Sequence, residues 1–330
     1  MKICFVGNLS STFIKRDYEI LKKHFEIELI QPPNNKKAWI KYPSIVKDKV
    51  KKCDVVFGWF AGWHTAPAIY YSKKYKKKSI IVVGGYDAAY VPEINYGAFT
   101  NIKEKIPAKY VLENTNLLLP VSEFTKNEIL EKVTPKGKIK VVYNGVDIEL
   151  FKPQGKKNSK LAITVGGIKW NNLKRKGIEI FVNTAKYLPD TRFVVIGKFI
   201  DNSIEYLKKI APTNVEFTGF VSENELIEWY QRAKIICQLS YYEAFGLAPA
   251  EGMSCECIPV VTKERAGLPE FVGDCGFYVP YGDEKATAEA IKEALEVPRE
   301  LGKKARERIV KLFSHRMREE RLIKTIEELA

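Results

Sequence analysis

The chain has 330 residues, 45% of them hydrophobic, which is room for about two domains with packed cores. Its longest apolar runs, 79–85 and 116–121, are strand-sized and far short of a membrane span. The net charge of +14 is uneven, +10 over residues 1–150 and +4 over residues 151–330, so the first half suits anionic partners such as phosphates, lipid head groups or nucleic acid.

Residues 1–7 reach a glycine turn too soon for a secretory signal. The six cysteines (Cys4, Cys53, Cys237, Cys255, Cys257 and Cys275) fall mostly inside apolar runs and lack paired metal-ligand spacing. Reduced, buried thiols in a cytoplasmic protein are the expectation.

In chain order, the pattern predicts strands at 3–6, 27–30, 55–59, 80–83, 117–121 and 139–143, with helices between them, among them 15–25 and 123–132. Residues 155–159, Gly-Lys-Lys-Asn-Ser, read as a polar linker. Strands resume at 161–165, 193–196, 215–217, 235–239, 258–261 and 277–279, with helices at 177–188, 223–232 and 285–295. An amphipathic helix is expected over 317–329, with Met317, Leu322, Ile323 and Ile326 apolar. The alternation indicates α/β architecture, two doubly wound parallel sheets joined near residue 155. Ligands of such proteins sit in the cleft between domains.

Residues 241–252 carry the densest chemistry. Glu243 and Glu251 are separated by seven residues around Phe245-Gly246-Leu247. Gly246 suits a turn and Pro249 suits the first helical position, which places Glu243 on a loop and Glu251 near the third helical position. The free N–H groups of the helix start between them would attract phosphate. Taken singly, Glu251 is also explained by the helix dipole and Glu243 by solvated surface.

Glu243-Ala244-Phe245-Gly246-Leu247 through Glu251 resembles the two-glutamate signature (E-x7-E) of the retaining glycosyltransferases of family 4. Other segments agree in order and spacing: residues 142–147 with Phe151 and Pro153, Lys174-Arg175-Lys176-Gly177, Val195-Ile196-Gly197-Lys198, Phe217-Thr218-Gly219-Phe220-Val221, and Gly267-Leu268-Pro269-Glu270. The resemblance is strong over most of 116–296 and weak in the N-terminal third. It implies the GT-B fold, two Rossmann-like domains facing across a cleft. Residues 1–150, with about 316–330 crossing back as a helix, would bind the acceptor, and 151–315 would bind the donor.

It further implies transfer of a sugar from a UDP-, GDP- or ADP-sugar to an acceptor hydroxyl on a glycan or lipid-linked acceptor, with retention and without metal or other cofactor. Arg175 and Lys176 would hold the diphosphate and stabilise its departing charge. Backbone N–H groups at Phe245, Gly246 and Leu247 would complete the cradle, with Gly166, Gly167, Gly197 and Lys198 in the neighbouring loops. Glu251 would accept from ribose hydroxyls. Glu243 would face the sugar. Gly219, Phe220 and Val221 would contact the base, although Phe220 equally suits a buried strand end. The lysine-rich turn also reads as a solvated helix start, where cations oppose the dipole.

Three departures from the family pattern concern the loops. Gly166 is followed by Gly167 rather than arginine, so Arg175 or Lys169 stands in for it. Asp87 occupies the place of an expected histidine after the fourth strand, and either bonds a sugar or acceptor hydroxyl or satisfies a turn. The first loop, Gly7-Asn8-Leu9-Ser10-Ser11-Thr12, lacks paired glycines. His64 is a further acceptor-side candidate, though such a lone histidine is more often structural.

The stretch 36–42 and the lysines of 73–78 suit the surface of an anionic membrane. Core packing of Trp39, Ile40, Val46 and Val50 is the favoured reading, with Pro43 interrupting any long amphipathic face. Competing functions are a sugar-nucleotide epimerase, a phosphorylase, and a nucleic-acid-binding protein. The last rests on charge alone, without helix-turn-helix, zinc or RNA-binding signatures.

Overall fold

The computed structural model describes residues 1–329. They divide into two compact units, Met1–Asn144 with the chain from Arg316 onward, and Gly145–His315. In the first unit, β1 (Lys2–Val6), β2 (Glu26–Ile30), β3 (Val55–Trp59), β4 (Lys78–Val83), β5 (Leu117–Pro120) and β6 (Lys138–Ile139) form a parallel sheet in the order β2-β1-β3-β4-β5-β6. In the second, β7 (Asn158–Val165), β8 (Arg192–Ile196), β9 (Val215–Gly219), β10 (Ala233–Gln238), β11 (Ile258–Thr262) and β12 (Phe277–Val279) are parallel in the order β12-β11-β10-β7-β8-β9.

These strands are legible as unbroken apolar runs because helices cover both faces of each sheet. Ile3, Cys4, Phe5 and Val6 of β1 are all buried, as are Ile80 through Val83 of β4 and Ile235 through Cys237 of β10. One core of the first unit gathers Val6, Val46, Val50 and Val56, and another gathers Ile81, Val111, Leu118 and Ile129. The second unit packs Phe181, Phe193, Val195 and Ile235 together.

Several boundaries differ from expectation. The expected strand at 139–143 shrinks to Lys138–Ile139, although Lys140 and Val142 still donate N–H groups to the carbonyls of Leu118 and Pro120. The expected linker at 155–159 is partly strand, since β7 begins at Asn158. The helix expected over 177–188 is Ile178–Thr184 followed by one tighter 3₁₀ turn, Ala185–Tyr187. Pro43 does not interrupt the Lys36–Lys51 helix but lies inside it. Proline in a helix interior costs about 3 kcal/mol. Burial of Tyr42, Val46 and Val50, at roughly 1.5–3 kcal/mol for each large apolar side chain, outweighs that. Ile40, by contrast, is 82% exposed and takes no part in the core.

The C-terminal helix, His315–Leu329, is fastened to the first unit by a charge network with no signal in the sequence pattern. The Arg318 guanidinium donates to both carboxylate oxygens of Asp17, each at 2.6 Å, and to the carbonyls of Val142 and Tyr143 at 3.0 and 2.8 Å. Asp17 also accepts from the Trp59 indole N–H at 2.9 Å. Both charges are buried, and the bidentate geometry with main-chain acceptors offsets their desolvation. Removing only one partner strands the other. Arg318→Ala is therefore expected to destabilise the fold by about 3–5 kcal/mol in urea denaturation; a change within experimental error would show that the network is solvated.

Candidate functional site

In the second unit the strand order reverses between β7 and β10, which are neighbours in the sheet while their following connections lead to opposite edges. Ligands of open α/β sheets bind beyond the carboxyl ends of strands at such a point. The sequence there is Gly166-Gly167 after β7 and 239–246 after β10.

Past Gly166 and Gly167 the chain forms a short helix, Trp170–Arg175, and Lys176 closes it. Lys174 and Arg175 thus occupy a helix's last turn rather than its start, and the dipole favours cations there. The Lys176 stem lies against Gly166, where an added Cβ would come within 2.8 Å of its Cδ. Arg175 donates to the Asn172 side chain at 3.1 Å, and its own carbonyl accepts from the Tyr241 N–H.

The Lys176 ammonium sits 3.5 Å from Glu243 Oε2, with side-chain exposures of 21% and 14%. Glu243 Oε2 is buried and has no hydrogen-bond partner beyond that ion pair. Burial pulls the Lys176 pKa down; Glu243 opposes the shift and Arg175 adds to it. The Glu243 backbone is pinned from the loop after β11. Its N–H donates to the Arg265 carbonyl at 3.4 Å, and its carbonyl accepts from Gly267 N–H at 2.8 Å. Gly267, which precedes the short helix Leu268–Val272, is thus one of the two residues that hold this glutamate.

Gly246 begins the next helix, Leu247–Ser254, in the left-handed region at φ 95°. A side chain there would strain the backbone and approach Leu268 to 2.6 Å. No side chain caps this helix start. Pro249 is the third helical residue and Glu251 the fifth, not the first and third as the pattern predicts. Proline fits anywhere in a first turn whose N–H groups lack intrahelical partners, so it marks that turn and not its first residue. Glu251 accepts a hydrogen bond from the buried Tyr230 hydroxyl at 3.2 Å, a partner that sequence reasoning missed. Burial, and then the Glu251 charge, push the Tyr230 pKa well up, so this hydroxyl stays a donor. Phe245 is itself buried against Phe271 and Phe313, which leaves only its backbone for a ligand.

The loops after β8 and β9 border the same edge. Gly197 N–H donates to the Gly219 carbonyl at 3.1 Å, and Ile168 N–H donates to the Lys198 carbonyl at 2.9 Å. Lys198 is exposed and Val221 half-buried. Phe220 is 76% exposed, which overturns the buried strand-end alternative.

Asp87 belongs to the first unit and is buried beyond β4. Its carboxylate accepts from Ala61 N–H at 2.8 Å and Gly85 N–H at 3.0 Å, clamping the loops after β3 and β4 to each other. Burial raises its pKa to about 7, against the pull of those main-chain donors. His64 points its Nε2 at the Trp59 carbonyl, 2.8 Å away. A carbonyl only accepts, so Nε2 carries the proton; burial lowers the imidazole pKa. His24 reaches Glu319 and His315 faces Asp147.

Because Asp87 binds its proton more tightly folded than unfolded, its contribution to stability is fully present below about pH 4 and is lost as pH rises through about 7. Asp87→Asn is expected to flatten that part of the Tm-versus-pH curve; an unchanged slope would place the titration elsewhere.

Comparison with known proteins agrees with this architecture. Residues 146–311 match the model of the family "Glycosyl transferases group 1", and residues 15–150 match "Glycosyltransferase Family 4". O-antigen chain mannosyltransferase B of Escherichia coli is 35% identical over 82 residues, 25% of this chain and 21% of that one. N-acetyl-alpha-D-glucosaminyl L-malate synthase of Bacillus anthracis is 24% identical over 223 residues, 62% of this chain and 58% of that one. The chain thus spans between about a fifth and three fifths of the length of these relatives. Among solved structures, Anabaena HepE in complex with UDP and glucose superposes with a TM-score of 0.77 at 16% identity, covering 100% of both chains.

Proposed function

The chain belongs to the glycosyl transferases of group 1, and from that premise we propose that it moves a sugar from a nucleoside-diphosphate donor to an acceptor hydroxyl, with retention and without a metal. The observation that carries the reading is the Lys176–Glu243 pair at the reversal of strand order in the second unit. A mostly buried lysine and a buried carboxylate oxygen without a hydrogen-bond partner suit a ligand that is anionic at one end and rich in hydroxyls at the other.

In this reading the diphosphate takes Lys176 and Arg175, together with main-chain N–H groups at Phe245, Gly246 and Leu247. Glu243, released from its ion pair, accepts from sugar hydroxyls and stabilises positive charge near the anomeric carbon. Glu251, oriented by Tyr230, accepts from ribose hydroxyls. Gly166 leaves room for the diphosphate-binding lysine, while Gly167 makes room for Ile200 beside the same loop. The loops carrying Gly197, Lys198, Gly219, Phe220 and Val221 border the base. Asp87 serves the acceptor side of the reaction by fixing the two loops it clamps. The crystallised complex of HepE with UDP and glucose supports a uridine nucleotide as the first donor to try.

A thermal-shift panel of UDP-, GDP- and ADP-sugars should stabilise the wild type, with Lys176→Ala and Glu251→Ala abolishing the shift. The absence of any shift, alongside unchanged variants, would sink the reading. Affinity should also weaken as pH rises, because a depressed Lys176 pKa must rise again when the diphosphate binds. Lys176→Arg, always charged, should remove that dependence; its persistence would assign the titration to another group.

The membrane reading has its own support. Among the described residues no helix is long and apolar enough to cross a membrane. The Lys36–Lys51 helix nevertheless exposes Ile40 (82%) and Ile45 (47%) among Lys36, Lys37, Lys41 and Lys47. Such a face suits peripheral binding to anionic lipid. The chain should co-sediment with phosphatidylglycerol vesicles but not phosphatidylcholine vesicles, and Ile40→Asp should weaken that binding; equal sedimentation with both would argue against it.

A further inference from the structure

The Ile102–Asn114 helix of the first unit places Ile102, Lys105 and Lys109 along one side at helical spacing. Its neighbour, Glu123–Lys132, ends on Lys132. Between them lies a groove of about 480 Å³, lined by these residues with Phe99 and Tyr90. That volume is within the range of small-molecule sites. Every residue involved belongs to the first unit, so the groove shares no residue with the donor site proposed above.

The groove's lining is of two kinds. Ile102 is 65% and Tyr90 56% exposed, a pairing of large apolar groups with water that a core does not explain. The only charged side chains in the lining are lysines, three of them from two helices. Lys105 lies 6.0 Å from the Phe99 ring centroid and makes no ion pair among the described residues. Lys109 reaches Glu113 only at 3.7 Å in an exposed pair, which contributes little and leaves its charge available. Lys132 is committed to Glu128 at 2.9 Å.

We infer that this groove binds a small anionic amphiphile, a phosphate or sulfate head carried on an apolar chain. A bare anion would leave Ile102, Phe99 and Tyr90 uncovered, and a neutral apolar body would sit beside unmatched ammonium groups. A molecule with both parts satisfies the two sets of contacts at once: the head takes Lys105 and Lys109, and the chain covers the apolar floor.

Titration calorimetry with monomeric decyl phosphate, below its micelle concentration, tests the assignment on the full chain. One site per chain is expected, with inorganic phosphate at least about tenfold weaker. The double variant Lys105→Glu/Lys109→Glu, at two exposed positions, should lose about tenfold or more while circular dichroism stays that of the wild type. Ile102→Asn should weaken decyl phosphate without changing the response to inorganic phosphate. Absence of saturable heat, equal affinity for inorganic phosphate, or an unaltered double variant would each overturn the proposal.

Discussion

An ammonium and a carboxylate, both mostly withdrawn from water, meet where the second sheet reverses its strand order. Neither Lys176 nor Glu243 would be stable there alone, because an unpaired buried charge costs several kcal/mol. Each is held by a different part of the fold. Lys176 lies over Gly166 at the end of β7, while Glu243 follows β10 and is pinned by main-chain bonds from the loop after β11. The rest of the second unit can be understood as the scaffold that brings these loops to one edge. Doing so takes three parallel strands, and parallel strands need helical crossovers, which in turn bury both faces of the sheet.

The same constraint is what recommends the pair for the donor-binding role proposed above. A distance of 3.5 Å with a carboxylate oxygen lacking a hydrogen-bond partner is an unfinished interaction. A donor that supplies phosphate oxygens to the lysine and hydroxyl donors to the glutamate completes both halves. Catalysis benefits from groups already placed where charge develops, and desolvated groups act most strongly there. Glu251 is a contrasting case, since a neutral donor, the Tyr230 hydroxyl, is among the groups that orient its carboxylate.

Much of this was legible in the sequence, and for a physical reason. Strands covered on both faces are continuous apolar runs, so β1, β3, β4, β7, β8, β10 and β11 announce themselves. Gly246 and Pro249 mark a helix start to within two residues, and the order of motifs points to Glu243, Glu251, Arg175 and Lys176. What local pattern cannot convey is partnership across the chain. Lys176 and Glu243 are distant in sequence, as are Asp17 and Arg318, and nothing periodic links them. Tyr230 reads as an ordinary helical aromatic until its hydroxyl is seen on Glu251. Pro43 misleads for the opposite reason, because tertiary burial of its neighbours overrides a local penalty. Asp87 was open between two roles, and the structure places it as a clamp on two loops.

The proposed function requires a nucleoside diphosphate to bind at the strand reversal of the second unit. Hydrogen exchange read by mass spectrometry, with and without UDP, GDP or ADP, tests it most directly. Slowed exchange confined mainly to peptides spanning 166–177 and 243–252 is the predicted result. Protection confined to the first unit, or none with any of the three nucleotides, would contradict it.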